Sequence, residues 1–171
     1  MIGYLALAAY AATVPAANWM IGNIGQCVPD GPCLIQVGFG LMAPSGVLLI
    51  GAALVLRDAV HRFLGWEWAI AAIIVGAGLS FQFSPAAIVI ASVAAFVLSE
   101  LADFAVYAPL QRNRLALAVM ISGIVGAAVD SAVFLWLAFG SFDFIAGQII
   151  GKLWMTALAT AVIVLARKVR A

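Results

Sequence analysis

The sequence predicts an all-α polytopic membrane protein, a bundle of six transmembrane helices with both termini cytoplasmic. Three observations carry this expectation. First, 67% of the 171 residues are apolar and 9% charged, with a mean hydropathy of +1.20, where a soluble domain carries about 25% charge. Second, apolar runs recur at lengths near the roughly 20 residues that cross a hydrocarbon core of about 30 Å. Third, Arg57, Arg62, Arg112, Arg114, Arg167, Lys168 and Arg170 fall in alternate connections or the C-terminal tail, while the other connections carry only Asp30 and Asp143. That one-sided distribution is the positive-inside pattern and places the arginine-bearing ends in the cytoplasm.

The first span, 2–22, follows Met1 without a basic segment and reads as a retained helix rather than a cleaved signal. Residues 23–36 are polar, with a break at Pro29-Asp30-Gly31-Pro32. The second span is expected over 37–56, bent at Pro44, followed by a loop at 59–65 with His61 and Arg62. Trp66 and Trp68 then anchor a short third span, 66–83. Ser84-Pro85 pairs a capping hydroxyl with proline at the first helical position, so the fourth span runs over 85–108. A turn at 109–114 leads into the fifth span, 115–139, and Gly140-Ser141 turns the chain into the sixth, 144–166. The chain is expected to form a single domain.

Glu100, Asp103, Asp130 and Lys152 sit inside these apolar runs. An ionisable group at the bilayer centre costs about 2.5–3.5 kcal/mol on insertion scales, so it faces a bundle interior, an aqueous cavity or an opposite charge. Glu100, Asp103 and Tyr107 share one helix face by their i, i+3, i+7 spacing. Folding spans five and six about a turn at 141–142 brings position 130 level with about position 153. Asp130 and Lys152 are therefore expected to pair, either as a structural lock or at a binding site. For Glu100 no basic residue on a neighbouring span lies at its depth, so a proton, a donor side chain, water or a ligand is expected to meet it. Asp103, nearer the interface, is expected to pair with Arg57 or Arg112, or to join the site.

Asn18, Trp19 and Gln148 lie toward the opposite end of their spans, where they are expected to line an entrance; Trp19 serves equally well as an interfacial belt residue. Cys27 and Cys33 face an oxidising compartment in this topology and either join as a disulfide or remain as thiols. No histidine stands near them, so a metal site is not expected. No P-loop, HExxH or GxSxG motif is present, which argues against a membrane ATPase or hydrolase. Nor is there a soluble basic face for nucleic acid. Neither enzymatic activity nor a cofactor is expected.

The segments S-E-L-A-D-F-A-V-Y at 99–107, G-A-A-V-D-S-A-V-F at 126–134 and G-Q-I-I-G-K-L-W at 147–154 resemble the VUT family of queuosine-precursor transporters. L-R-D-A-V-H-R-F-L-G at 56–65 fits the same family, and the resemblance runs from about residue 43 to the C-terminus. It implies a six-helix, multi-pass transporter of the cell inner membrane that imports 7-cyano-7-deazaguanine, or a related 7-deazapurine, for tRNA modification. Such a base offers N1–H and a 2-amino group side by side, a donor pair that one carboxylate accepts in bidentate fashion. Its carbonyl needs a donor, for which Lys152, Gln148 and Asn18 are candidates. Its ring needs a flat slot, with Trp19, Phe96, Phe134 and Trp154 as candidates. The expected substrate-binding set is Glu100, Asp130, Lys152, Gln148, Asn18, Trp19 and Asp103. The other reading is a substrate-binding membrane subunit of an ATP-driven vitamin-type uptake system, or a homo-oligomer. There the small residues Ala8, Ala12 and Ala16 dock a partner, unless they pack within the chain.

Overall fold

In the computed structural model the chain forms six helices and a small sheet: α1 (Ile2–Asn23), β1 (Gln26–Cys27), β2 (Cys33–Gly38), β3 (Leu41–Pro44), α2 (Val47–Leu64), α3 (Trp66–Ser80), α4 (Ala86–Leu110), α5 (Leu115–Phe139) and α6 (Ile145–Arg170). The structure describes residues 2–29, 31–110 and 115–170, without the side chains of Ile2, Asp58, Arg62, Trp66, Tyr107, Ala108, 115–120 and 159–170. Asp30, Arg112 and Arg114, and the side chains of Arg62, Trp66, Tyr107, Arg167, Lys168 and Arg170, therefore lie outside the described residues. Among the described residues, three helical stretches are long and apolar enough to cross a membrane: Gly3–Asn23, Ala86–Val106 and Ile121–Phe139. Glu67–Ser80 and Ile145–Leu158 are shorter apolar helices.

Packing is inverted relative to a water-soluble domain. Ala6, Ala17, Ala53, Ala72, Ala91, Ala95 and Ala127 are buried, whereas Ile74, Leu101, Phe104 and Trp136 are each more than half exposed. Small residues let helix backbones approach, and large apolar side chains face outward, as helix association in lipid favours. Gly126 on α5 lies against Ser99 and Asp103 of α4, Gly3 of α1 against Phe63 and Leu64 of α2, and Gly76 of α3 against Val14 of α1. Buried Tyr10, Ala53, Val60, Ala69 and Ala72 join α1, α2 and α3 in one apolar cluster. Ile21, Ala91, Ala95, Phe134 and Leu135 join α1, α4 and α5 in a second.

The three-stranded sheet corrects the all-α expectation. β2 pairs antiparallel with β1 (Gln26↔Leu34, Cys27↔Cys33) and with β3 (Leu34↔Pro44, Ile35↔Ala43, Gln36↔Met42). Its presence has a local cause. Residues 37–46 contain Gly38, Gly40 and Gly46 besides Pro44, and a helix interior loses about 1 kcal/mol per glycine and about 3 for proline relative to alanine. Gly38, Phe39 and Gly40 instead take φ values of 104°, 54° and 72°, the left-handed region that closes the β2–β3 turn. Cys27 and Cys33, directly opposed across β1 and β2, form a disulfide. Helix α2 begins at Val47 rather than at 37 and runs to Leu64 rather than to 56, so it absorbs the loop expected at 59–65.

The hairpin bridges α1 and α6. Ser45 Oγ donates to the Met20 carbonyl at 2.6 Å, and Gly46 sits so close to α1 that a Cβ there would lie 2.5 Å from the Ala17 carbonyl oxygen. On the other side Trp154 Nε1 donates to the Val37 carbonyl at 2.9 Å, and Phe39 stacks on Trp154 with ring centroids 6.2 Å apart. Gly147 abuts the Met42 carbonyl, and Gly151 abuts Val47. Ala17 and Gly151 each lie six residues inside their helices (17 to 23, 145 to 151). At 1.5 Å per residue, α2 thus begins about 9 Å below the sheet end of the bundle.

Candidate functional site

A cavity lies where the hairpin interrupts the bundle. Helix α1 contributes Tyr10, Val14 and Asn18, a stripe at i, i+4, i+8. Ser92 and Phe96 of α4, and Asp130 and Phe134 of α5, add two further i, i+4 pairs. Gly46 and Val47 at the head of α2 and Gln148 on the second turn of α6 complete the rim. About 60 Å³ is open to the centres of water-sized molecules, several times the roughly 10–15 Å³ that one water needs. Counting residues from the sheet-end termini of their helices, the amides and the carboxylate lie at depths of about 5 Å (Gln148) to about 14 Å (Asp130).

Polar chemistry is concentrated in three places. The deepest is the pair formed by Lys152 and Asp130, 1% and 6% exposed. Lys152 Nζ donates to Asp130 Oδ2 and, at 2.8 Å, to Ser131 Oγ; the Ser131 hydroxyl itself donates to the Ala127 carbonyl at 2.8 Å. Pairing keeps the site close to neutral, as burial in low dielectric requires. The second place is Asn18, 1% exposed. Its Oδ1 accepts from Ser92 Oγ at 2.9 Å, and its Nδ2 is buried with no hydrogen-bond partner among the described residues. The third is Gln148, 3% exposed on the opposite wall.

The structure thus brings Asn18, Asp130 and Gln148 to one cavity, with Lys152 behind Asp130. It separates the other expected site residues from it. Trp19 follows Asn18 by a rotation of about 100° on the helix and is 43% exposed on the outer face. Glu100 pairs with Arg57, which corrects the expectation that no basic residue meets it. Because α2 continues to Leu64, Arg57 lies within a helix, at the depth of Glu100, rather than at a span's end. Asp103 lies against Gly126, and neither it nor Glu100 lines the cavity. Of the candidate aromatics, Phe96 and Phe134 line the cavity while Trp154 holds the hairpin. Ala8, Ala12 and Ala16 are exposed, so they do not pack within the chain.

Sequence reasoning missed Tyr10 and Ser92. Both were within reach of it, since Tyr10 and Asn18 are two helical repeats apart, and Ser92 stands one repeat before Phe96.

The family model described as "putative vitamin uptake transporter" matches residues 80–166. That stretch includes Ser92, Phe96, Glu100, Asp130, Phe134, Gln148 and Lys152, and omits α1, the hairpin and α2. No curated protein and no solved structure matches the chain.

Proposed function

Because the chain belongs to this vitamin uptake transporter family, we propose that it imports a queuosine precursor, 7-cyano-7-deazaguanine or a related 7-deazapurine, across the inner membrane. In this reading the six helices cross the bilayer, both termini are cytoplasmic, and the sheet end faces outward. The carrying observation is the cavity, where a charge-balanced carboxylate (Asp130), two amides (Asn18 and Gln148) and two phenyl rings (Phe96 and Phe134) meet within an apolar bundle. A deazaguanine has the complementary parts: a flat ring, a donor edge and a carbonyl. Asp130, with Oδ2 held by Lys152, replaces Glu100 as the carboxylate that accepts the N1–H and 2-amino donors.

Lys152 serves in this scheme by fixing Asp130 and cancelling its charge, so that a neutral base enters a neutral site. Phe96 and Phe134 bracket the ring, and Gln148 stands nearest the outer mouth. The test is uptake of radiolabelled 7-cyano-7-deazaguanine by liposomes containing the purified chain alone. Saturable uptake that unlabelled deazaguanine competes away, and that Phe134→Ala weakens, is the expected result. Protein that is monodisperse and correctly oriented, yet neither binds nor accumulates any deazapurine, would overturn the assignment. Binding without uptake would instead place the energy source in a separate subunit.

A further inference from the structure

A deazaguanine carbonyl needs a hydrogen-bond donor in the cavity. Lys152 does not line the cavity, and its ammonium is already engaged by Asp130 and Ser131. We propose that Asn18 Nδ2, beside the uncapped N-terminus of α2, is a donor subsite that selects ligands with a neutral oxo group where a competitor carries an amine. The inference rests on the deazapurine reading and adds to it a specificity-determining residue.

Two independent observations point to the same place. Asn18 Nδ2 is buried and has no hydrogen-bond partner among the described residues, although its residue borders a cavity. An unsatisfied buried donor costs about 1–3 kcal/mol, so it signals a partner that arrives from the cavity. Ser92 donates its hydroxyl to Oδ1 at 2.9 Å, which leaves Nδ2 on the other side of the amide. Helix α2 begins at the same wall: Gly46 and Val47 border the cavity, and no side chain caps the helix. The first turn of a helix carries unpaired N–H groups and the positive end of its dipole. The hairpin is what brings that end into the interior, by stopping the helix about 9 Å short of the bundle end. A glycine is required where this happens, since any Cβ at Gly46 would collide with the Ala17 carbonyl.

Donors therefore gather at the Asn18–Gly46 wall and an acceptor at Asp130. A lactam edge, with C=O next to N–H, matches this polarity; an amidine edge, with an amino group in place of the oxo, does not. An exocyclic amine at that position would set its N–H groups against Asn18 Nδ2 and the α2 terminus and leave all of them unpaired. A site built around a hydrogen bond rejects the analogue that cannot make it far more strongly than an apolar pocket rejects a change of size.

The experiment measures binding of two 7-deazapurines to the detergent-purified chain, 7-deazaguanine (6-oxo) and 2,6-diamino-7-deazapurine (6-amino). The wild type is expected to favour the oxo compound by about tenfold or more. Asn18→Leu removes the donor while roughly keeping volume, and is expected to shrink that preference several-fold; the remainder reflects N1, a donor to Asp130 in the oxo compound and an acceptor in the amino compound. Ser92→Ala is the milder variant, for use if Asn18→Leu does not fold. It frees the Asn18 amide to rotate and is expected to shrink the preference several-fold without loss of monodispersity. Wild-type preference for the amino compound, or an undiminished oxo preference in a folded variant, would overturn the proposal while leaving the transport reading intact. Binding of neither compound by the wild type would overturn that reading and the proposal together.

Discussion

Replacing Lys152 by methionine isolates what the buried pair contributes. Asp130 is 6% exposed and Lys152 1%, so in Lys152→Met the carboxylate keeps its desolvation penalty and loses its counter-charge. Ser131 could turn its proton to the carboxylate only by giving up the Ala127 carbonyl, and a neutral hydroxyl does not replace a counter-charge. Breaking a buried pair from one side costs about 3–5 kcal/mol, and this geometry puts Lys152→Met in that range. Asp130→Asn should be somewhat milder, about 2–4 kcal/mol, since it strands a buried ammonium that still keeps Ser131 Oγ and an amide oxygen as acceptors. The double variant, Asp130→Asn with Lys152→Met, has no buried charge and should return to within about 1 kcal/mol of the wild type. Unfolding in mixed detergent micelles, followed by helix content against denaturant, measures all three. If the two single losses simply add in the double variant, the groups do not interact and the account of the pair is wrong. Binding adds a second readout, because the double variant should be stable yet weak for a deazaguanine if Asp130 accepts its donors.

Glu100→Gln should behave differently. It removes one charge from a pair with Arg57 that lies off the cavity, so ligand affinity measured on the purified variant should stay within about twofold of the wild type. The Cys27–Cys33 bond should appear as a mass shift on alkylation only after reduction, and its loss should lower stability by no more than about 2 kcal/mol for so short a loop. Gly147→Ala should abolish folded protein on size-exclusion chromatography, because its Cβ would overlap the Met42 carbonyl, whereas Gly123→Ala meets open space and should be tolerated. Single cysteines introduced at Phe142 and Gly65, with Cys27 and Cys33 replaced by serine, should label from outside and inside respectively; the reverse would invert the proposed orientation.

Much of the site was legible because helix periodicity is a rigid ruler. The Asp130–Lys152 pair followed from a well-marked turn, Gly140-Ser141, and from the 1.5 Å rise on either side of it. Asn18 and Gln148 were placed near the same end for the same reason. Hydropathy could not reveal the hairpin. Val37, Phe39, Leu41 and Met42 are as apolar as a span requires, and only the density of Gly38, Gly40, Pro44 and Gly46 distinguishes the segment. The error then propagated along the chain. With α2 displaced toward the C-terminus, Arg57 moved from a helix end to its interior, and Glu100 acquired a partner that the earlier register had denied it. Trp19 shows a different boundary of the method, since depth along a helix is easily counted but the face depends on what the helix packs against.

The hairpin also has a consequence for how the chain is made. The apolar part of α2, 47–56, is about half the length that crosses a bilayer, and four positions beyond it, Arg57, Asp58, His61 and Arg62, carry ionisable groups. Such a segment is a poor candidate to leave the translocon unaided. Its shelter is α6, whose Gly147 and Gly151 receive Met42 and Val47 and whose Trp154 holds the Val37 carbonyl. Trp154 follows Val37 by 117 residues. At about 5–20 residues per second, the ribosome needs roughly 6–23 s to supply it. During that interval the hairpin and the head of α2 rest on α1 without their contacts to α6, and a chain that ends before α6 never gains them. Truncated products are therefore expected to expose this segment to membrane proteases, while the completed chain conceals it.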